Sequence, residues 1–312
     1  MKDNFGREIN YLRLSLTQKC DLHCVYCGCE PPEAKELTVP EITKIVNVFA
    51  GLGITKVRLT GGEPLLRQDI AEITAKIKAV KGIEKVVLTT NGTTLFEKAQ
   101  MLKAAGLDAV NISLDSLDRE TYKKLTGKDK LDKVLTGIDK ALEVGLKPVR
   151  INSVLIRGQN DGEAGKLIEL AKNRAVDVRF IELMPFSDAG ENGKLIIKAD
   201  EILKEHPYLR PCDDRKTAST AAYYTADGFT GRIGFITPVS RKFCDKCNRI
   251  RLLADGKLKP CLGHKEVFDL SEHINNEEML RQTIIKAIES KPIGHNFECA
   301  CGDLHAMNKI GG

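Results

Sequence analysis

Alternating apolar and polar positions divide the first 185 residues of this 312-residue chain into short predicted strands. The predicted strands cover residues 11–17, 56–60, 85–90, 109–115, 148–155 and 178–185. Apolar residues at helical spacing fill each interval, with two helices, over 118–125 and 131–144, before the fifth strand. A regular alternation of strands and helices predicts a parallel sheet covered by helices.

Residues able to bind ligands fall at the carboxyl ends of these predicted strands. They are Thr17, Gly61, Gly62, Thr89, Thr90, Asn91, Ser113, Asp115, Asn152, Glu182 and Met184. The strands of a (β/α) barrel point their carboxyl ends at one mouth, where the active site lies. An open doubly wound sheet also fits the element order, but this placement favours a barrel. Six units rather than eight predict a partial (β/α)6 TIM-like barrel, open on one side.

The pattern changes after residue 186. Residues 187–232 are rich in Gly, Asp, Lys and Ala, with one predicted helix near 199–205. Asp255-Gly256 between two alternating runs predicts a β-hairpin over 249–261, and a last helix is expected near 275–290. We therefore expect a partial barrel over 1–186 and a C-terminal extension over 187–312.

Three cysteines, Cys20, Cys24 and Cys27, follow the first predicted strand at C-x3-C-x2-C spacing. A structural zinc ion takes four ligands, and only His23 or Cys29 lies near enough in sequence to complete such a site. A [4Fe–4S] cluster held by three thiolates keeps one iron open for a substrate or cofactor. The spacing alone leaves a catalytic cluster and another kind of metal site about equally favoured.

A second group, Cys244, Cys247 and Cys261, lies in the extension, and the predicted hairpin returns Cys261 toward the other two. One interpretation is a zinc ribbon completed by His264 or a distant cysteine. The other is a second cluster with an open iron beside Arg249 and Arg251, which share one strand face. Arginines in this position provide bidentate sites for phosphate or a nucleobase.

Gly61-Gly62-Glu63-Pro64 directly follows the second predicted strand. It is either a tight turn or a place where the backbone closely approaches a ligand, with Glu63 as an acceptor for an ammonium group. The four remaining cysteines, Cys29, Cys212, Cys299 and Cys301, fit no ligand pattern and receive no role.

The composition argues against several classes of function. The formal charge of +5 is dispersed and aromatic residues make up only 5% of the chain, which argues against a nucleic-acid partner. The sequence has no apolar run long enough to span a membrane, and its first residues lack the apolar segment of a signal peptide. We expect a cytoplasmic protein whose cysteines bind metal rather than form disulfides.

The first triad, with an aromatic residue before its third cysteine, and the Gly-Gly-Glu-Pro motif resemble the radical S-adenosylmethionine superfamily. The second triad, written Cys-Asp-Lys-Cys-Asn-Arg-Ile-Arg with a later Cys, resembles the GTP 3′,8-cyclase family of molybdenum cofactor biosynthesis. The segment 4–15 and the terminal Gly311-Gly312 are similar to the same family, so the resemblance covers nearly the whole chain.

The resemblance implies roles for individual residues. Cys20, Cys24 and Cys27 would bind the cluster that holds S-adenosylmethionine, and Cys244, Cys247 and Cys261 would bind an auxiliary [4Fe–4S] cluster. The S-adenosylmethionine contacts would be Tyr26, Gly62, Ser113 and Met184. The GTP contacts would be Arg13, Arg58, Thr89, Arg150, Arg249, Ile250 and Arg251, with Arg150 at a position where the family usually has Lys. Arg13, Gly311 and Gly312 are the candidate catalytic residues, although a frayed terminus is the simpler expectation for the two glycines.

The resemblance also implies a reaction. An electron from the first cluster would cleave S-adenosylmethionine, and the 5′-deoxyadenosyl radical would take the 3′ hydrogen of GTP. The ribose radical would then attack C8 of guanine, giving 3′,8-cyclo-7,8-dihydro-GTP. This lyase would need an electron donor, would pass its product to cyclic pyranopterin monophosphate synthase, and could form a homodimer.

Two alternatives stay open at this point. One is another radical S-adenosylmethionine enzyme with an auxiliary cluster, such as a peptide-modifying enzyme. The other is a zinc-stabilised nucleic-acid-binding protein.

Overall fold

Six parallel strands follow each other in chain order at the centre of the computed structural model, which describes residues 1–28, 30–32, 35–186, 193–212, 220–295, 297 and 307–311. Every pair of consecutive strands is hydrogen-bonded in parallel, which confirms the predicted α/β class. The strands are β1 (Tyr11–Ser15), β2 (Lys56–Thr60), β3 (Lys85–Thr90), β4 (Ala109–Ser113), β5 (Val149–Val154) and β6 (Val176–Ile181).

Helices connect these strands near the predicted positions. They are α1 (Val39–Gly51), α2 (Ile70–Lys78), α3 (Leu95–Ala104), α4 (Arg119–Thr126), α5 (Leu131–Glu143) and α6 (Ala164–Asn173). Helix α1 begins with a capping box, in which the Thr38 N–H donates to the Glu41 carboxylate at 2.7 Å. A separate 3-10 turn, Pro64–Leu66, precedes α2.

Residues alternate along each strand between a helix-covered core and a polar interior. Leu12 and Leu14 on β1, and Val57 and Leu59 on β2, are fully buried in the main apolar cluster. Burial of each such side chain contributes about 1.5–3 kcal/mol to the free energy of folding. The intervening residues, such as Arg13, face the other side of the sheet, so the pleat that builds the core also directs polar side chains inward.

The C-terminal region adds strands to both edges of this sheet. They are β7 (Arg210–Pro211), β8 (Ala222–Thr225), β9 (Ile233–Ile236), β10 (Arg249–Leu252), β11 (Lys257–Lys259) and β12 (Phe268–Asp269). β9 pairs in parallel with β6, and β10 pairs in parallel with β1. β10 and β11 form the predicted hairpin. The sheet order is therefore β12-β11-β10-β1-β2-β3-β4-β5-β6-β9-β8-β7.

This arrangement adds to the sequence prediction in one respect. The regions 1–186 and 187–312 share one sheet, because strands of the second region pair with the first and last strands of the first. In the described part of the C-terminal region the helices are α7 (Ala199–Glu205), α8 (Glu277–Glu289) and α9 (Met307–Ile310), and α8 packs against α1. In the described part of the chain, no helix has the length and apolar character to span a bilayer.

Candidate active site

A cavity of about 870 Å³ lies on the side of the parallel strands away from the helices. It is lined by inward residues of consecutive strands, among them Arg13, Arg58, Thr89 and Arg150. All six cysteines of the two triads also line it. The fold thus brings two cysteine groups that are more than 200 residues apart in sequence to one cavity.

The first triad occupies the loop that leaves the carboxyl end of β1. Its thiols are half-buried and form no disulfide within the described part of the chain. The loop is fixed to the end of α4, because the backbone N–H groups of His23 and Val25 donate to the carbonyls of Thr126 and Leu125 at 2.9 and 3.0 Å. The side chain of His23 is exposed and does not line the cavity, so the structure does not support His23 as a fourth ligand.

The Gly-Gly motif lets β2 end directly against this loop. The Gly62 N–H donates to the Thr17 carbonyl and the Glu63 N–H to the Lys19 carbonyl, both at 2.7 Å. A Cβ on Gly62 would lie 2.3 Å from the Lys19 carbonyl oxygen, closer than any side chain tolerates. The glycines are therefore required by contact between two protein segments, whatever ligand Gly62 also contacts.

The Glu63 carboxylate makes three hydrogen bonds within the protein. The group is buried and accepts hydrogen bonds from Thr90 Oγ1 at 2.7 Å and from the backbone N–H groups of Asn91 and Leu65 at 2.6 and 2.9 Å. Burial raises the pKa of Glu63 to about 7, although these hydrogen bonds by themselves would lower it. These bonds join the ends of β2 and β3, and the contact with an ammonium group stays a prediction.

Tyr26, Ser113 and Met184 line the cavity near the first triad, as expected for neighbours of one ligand. The Tyr26 hydroxyl donates to Asp115 Oδ2 at 2.6 Å, and Asp115 Oδ1 accepts from the Val154 N–H at 2.8 Å. Burial raises the pKa of Asp115 to about 6, and burial together with Asp115 raises the pKa of Tyr26 well above its ordinary value.

The second triad lies at the opposite end of the strands. Cys247 lies two residues before the start of β10, and β10 is parallel to β1, so Cys244 and Cys247 lie at the amino ends. Cys261 follows β11, which runs antiparallel and returns to the same end. The mouth predicted at the carboxyl ends of the strands therefore holds the first triad and not the second. Burial raises the pKa of Cys247, but the charges of Lys291 and Arg249 outweigh it and lower the pKa.

Arg7 supports the second triad, and sequence reasoning missed it. This buried guanidinium pairs with Asp3 at 2.7 Å and donates to the carbonyls of Cys244, Pro292 and Ile293 at 2.8, 2.7 and 3.0 Å. His264, the alternative fourth ligand, has its ring nitrogen 2.9 Å from the Gly294 carbonyl oxygen and does not line the cavity.

Positive charge dominates the wall between the two triads. The Lys and Arg residues are Arg13, Lys56, Arg58, Lys85, Lys103, Lys147, Arg150, Arg179, Arg249, Arg251 and Lys291, against Glu84, Asp108, Asp115 and Glu182. Burial, and after it the charges of neighbouring cations, lowers the pKa of Arg251 to about 10. The same causes lower the pKa of Arg179 to about 10 and that of Lys56 to about 8. Such crowding favours an anionic ligand. Lys56 and Arg179 were not among the predicted contacts, although both alternate with core residues on their strands.

Neighbouring side chains orient two of these cations. Arg58 donates through Nε to the Tyr11 hydroxyl and through Nη1 to Thr89 Oγ1 at 2.9 Å. The Lys56 ammonium lies 4.4 Å from the centre of the Tyr11 ring. Burial alone would raise the pKa of Tyr11, but Arg58, Lys56 and Arg13 lower it to about 7.

The segment 307–311 lies between the first cysteine loop and the strands, which corrects the expectation of a frayed terminus for Gly311. The Met307 N–H donates to the Cys27 carbonyl at 2.9 Å, and Asn308 Nδ2 donates to the carbonyls of Gln18 and Glu30 at 3.0 and 2.7 Å. Gly311 is buried against Ser15 and Thr60. Its carbonyl accepts from Arg251 Nη1 at 2.7 Å.

Several residues considered in the sequence analysis lie away from the cavity or outside the described residues. Ile250 is buried in the apolar core and does not line the cavity, because strand alternation turns it away from Arg249 and Arg251. Cys212 is half-buried and outside the cavity lining. Gly312 and the cysteines Cys29, Cys299 and Cys301 lie outside the described residues.

The residues present fit two iron–sulfur clusters. Each triad offers three thiols at one end of a cavity large enough for further ligands between them. Within the described residues, no three His, Cys, Asp or Glu side chains are arranged to hold a single metal ion. The thiolates of a [4Fe–4S] cluster each bind a different iron, so they do not have to meet at one point.

Comparisons with known proteins agree with this geometry. Residues 14–171 match the model of the radical SAM superfamily, and residues 176–297 match the Molybdenum Cofactor Synthesis C family. A protein named GTP 3′,8-cyclase from Alkaliphilus oremlandii is 43% identical over all of both chains. Proteins of the same name from Peptoclostridium acidaminophilum and Listeria monocytogenes are 41% and 42% identical, over 99% of this chain and 98% and 96% of theirs. The chain is a radical SAM protein and belongs to the GTP 3′,8-cyclase family.

Solved structures share the fold at low sequence identity. Streptococcus suis SuiB bound to its precursor peptide SuiA matches with a TM-score of 0.67 and 16% identity, over 93% of this chain and 66% of that one. The hydrogenase maturase HydG matches with a TM-score of 0.51 and 21% identity, over 64% and 49% of the two chains. These likenesses concern the fold alone.

Proposed function

We propose that this protein converts GTP to 3′,8-cyclo-7,8-dihydro-GTP, the first step of molybdenum cofactor biosynthesis. One observation carries the proposal: a single cavity has a cysteine triad at each end and a wall of Lys and Arg residues between them. A substrate in this cavity would be within reach of both clusters at once. Membership of the GTP 3′,8-cyclase family supplies the identity of that substrate.

The two [4Fe–4S] clusters and S-adenosylmethionine, when bound, supply the 5′-deoxyadenosyl radical and an open iron for the purine. Cys20, Cys24 and Cys27 would hold the first cluster, with Tyr26, Gly62, Ser113 and Met184 around S-adenosylmethionine. Cys244, Cys247 and Cys261 would hold the second. The Tyr26–Asp115 hydrogen bond fixes the tyrosine ring beside the first triad.

The cations of the wall would bind and orient GTP. Arg58 is held between Tyr11 and Thr89, so its guanidinium is already oriented before the triphosphate arrives. Arg13, Arg150 and Arg179 extend the positive surface, and Arg249 and Arg251 continue it toward the second triad. Fixed donors of this kind hold two reacting atoms of one substrate at short distance without later rearrangement.

The reaction needs further partners. The product requires electrons, so we propose a small protein or chemical reductant as the electron donor. We also propose hand-off of the product to cyclic pyranopterin monophosphate synthase and retain a homodimer and a cytoplasmic location as predictions.

An anaerobic turnover experiment tests the proposal. The purified protein should carry about eight irons, from two four-iron clusters. With dithionite, S-adenosylmethionine and GTP, it should form 5′-deoxyadenosine and the cyclised nucleotide together, and ATP in place of GTP should not support the second product. Zinc in place of iron, or 5′-deoxyadenosine formation indifferent to GTP, would contradict the proposal.

Arg251→Ala sharpens this experiment. It should impair GTP use while S-adenosylmethionine binding at the first cluster persists, because Arg251 lies on β10 next to the second triad. Arg210→Ala is a matched control, since Arg210 is exposed and pairs with Asp227 away from the cavity. Loss of S-adenosylmethionine binding in Arg251→Ala would overturn this division of roles.

A further inference from the structure

Lys291 is a buried lysine to which the proposed reaction assigns no role. Its side chain is 2% exposed, it follows α8, and it lines the cavity at the end that holds the second triad. Lysine is rarely buried to this degree unless its charge and its donors are both matched. The surroundings of its ammonium group therefore indicate what it does.

Two carbonyl oxygens satisfy two of the three donors. Lys291 Nζ donates to the Arg249 carbonyl at 2.8 Å and to the Pro260 carbonyl at 2.7 Å. Arg249 lies two residues after Cys247, and Pro260 immediately precedes Cys261. One ammonium group thus joins the two chain segments that carry these cysteines.

The third cysteine is connected to the same place through Arg7. Arg7 Nη1 donates to the Cys244 carbonyl at 2.8 Å, and Arg7 Nη2 donates to the carbonyls of Pro292 and Lys291 at 2.7 and 3.4 Å. The backbone around Lys291 is therefore fixed against the segment of Cys244. All three cysteine-bearing segments meet at residues 291–293.

Carbonyl groups match the donors of Lys291 but not its positive charge. Among the described residues, no Asp or Glu forms an ion pair with Lys291, and Arg249 and Arg251 add further positive charge to the same cavity wall. A buried charge needs a compensating charge nearby. Three thiolates holding an iron–sulfur cluster would supply negative charge at this place.

We propose that Lys291 is a positioning and charge-compensating residue of the auxiliary cluster, which joins the segments of Cys247 and Cys261 and raises the cluster's reduction potential. The proposal rests on the proposed function for the presence of that cluster. A fixed positive charge stabilises the reduced cluster, which carries one more negative charge, over the oxidised cluster. Lys291 acts through the cluster and its backbone rather than by touching GTP.

The test uses the anaerobic holoenzyme with S-adenosylmethionine omitted and GTP absent. Lys291→Met keeps much of the side-chain length without the charge, and Lys291→Arg keeps the charge. A dithionite-poised redox titration followed by electron paramagnetic resonance reports both clusters, so the first cluster serves as an internal reference.

In Lys291→Met we expect about a tenfold lower reduced-to-oxidised ratio of the auxiliary cluster at a fixed potential, which is about 59 mV for a one-electron couple. The first cluster should not shift, and Lys291→Arg should remain close to the unsubstituted protein. A fully loaded Lys291→Met protein with an unshifted auxiliary cluster would overturn the proposal.

Loss of loading is equally informative. If Lys291→Met loses about four irons and Lys291→Arg retains them, the charge is needed to assemble the cluster. If both variants lose the same irons, charge is not what Lys291 contributes, and the proposal fails. Because these readouts need no GTP, a protein with about eight irons that does not convert GTP would refute the proposed function while leaving this inference standing.

Discussion

Arg251 Nη1 donates a 2.7 Å hydrogen bond to the carbonyl oxygen of Gly311, so a predicted GTP contact is oriented by a residue at the far end of the chain. Gly311 has a φ of +70°, and a Cβ there would lie 3.0 Å from Ser15 Cβ. The bond therefore depends on a backbone position that only glycine occupies without strain.

Gly311→Ala should displace this bond and weaken GTP use. Left-handed backbone costs a non-glycine residue about 1–2 kcal/mol, which corresponds to roughly a tenfold loss in GTP-dependent turnover. Iron content should stay unchanged. Gly158→Ala is the matched control, because Gly158 has a φ of +74° with open space around its Cβ position. Equal losses in the two variants would show that backbone strain alone is responsible.

Tyr11→Phe should change how GTP binding depends on pH. With its pKa near 7, Tyr11 loses its proton in the free protein as the pH rises through 7, and the phenolate cancels part of the positive charge of Arg58 and Lys56. An anionic substrate favours protonated Tyr11, so KM for GTP should rise over roughly two pH units above 7. The variant has no phenolate, so the part of the rise that begins near pH 7 should disappear, while the part that comes from Lys56, whose pKa is about 8, remains.

The exposed Tyr208 provides the control for that profile. Tyr208→Phe should keep the pH dependence of the unsubstituted protein. If KM in Tyr11→Phe rises with pH as steeply as before, another group is responsible for the dependence.

Arg7→Ala should reduce loading of the second cluster while sparing the first. The substitution removes the donors that hold the Cys244 carbonyl and the segment after Lys291. We expect about four irons per chain in place of about eight, measured by iron and sulfide analysis, with the S-adenosylmethionine cluster still visible by electron paramagnetic resonance. Full loading would mean that the cluster itself organises these segments.

Arg150→Lys tests whether the cavity wall needs a guanidinium group at position 150 or only a positive charge. Arg150 Nε lies 3.7 Å from Asp177 Oδ2. A lysine ammonium is on a shorter side chain and lacks the planar set of donors of a guanidinium, so it would not make this contact in the same way. Because charge is kept, KM for GTP should change by less than about tenfold, whereas Arg150→Ala should raise it further. A larger effect of Lys than of Ala would show that geometry, and not charge, decides binding here.

Local patterns predicted much of this fold. Alternation placed β1 to β6 within a few residues, and Asp255-Gly256 identified the β10–β11 hairpin. The pairing of β10 with β1 and of β9 with β6 could not be predicted in this way. β1 and β10 are more than 200 residues apart in sequence, and β6 and β9 are about 50 residues apart, so these pairings leave no local signal. Strand β9, at residues 233–236, is also too short to show a distinct alternation.

The site was predictable where spacing carried chemistry. Both triads and the alternating Arg249 and Arg251 were visible in the sequence and line one cavity. Arg7 and Lys291 were not visible, because a buried cation that binds backbone carbonyls resembles any surface Lys or Arg in sequence. The link that Glu63 makes between β2 and β3 was not visible either, because its partner Thr90 lies 27 residues further on.

The register between β1 and β10 has a consequence for how this scaffold could acquire new substrates. Tyr11 to Leu14 pair with Arg249 to Leu252, with one triad beyond the end of β1 and the other before the start of β10. The five residues of β1 at about 3.3 Å per residue span about 13 Å. Single substitutions cannot alter this length, and an insertion in one strand would break its pairing with the other. Divergent relatives would therefore be expected to vary the side chains along the wall while the spacing of the two metal centres stays constant.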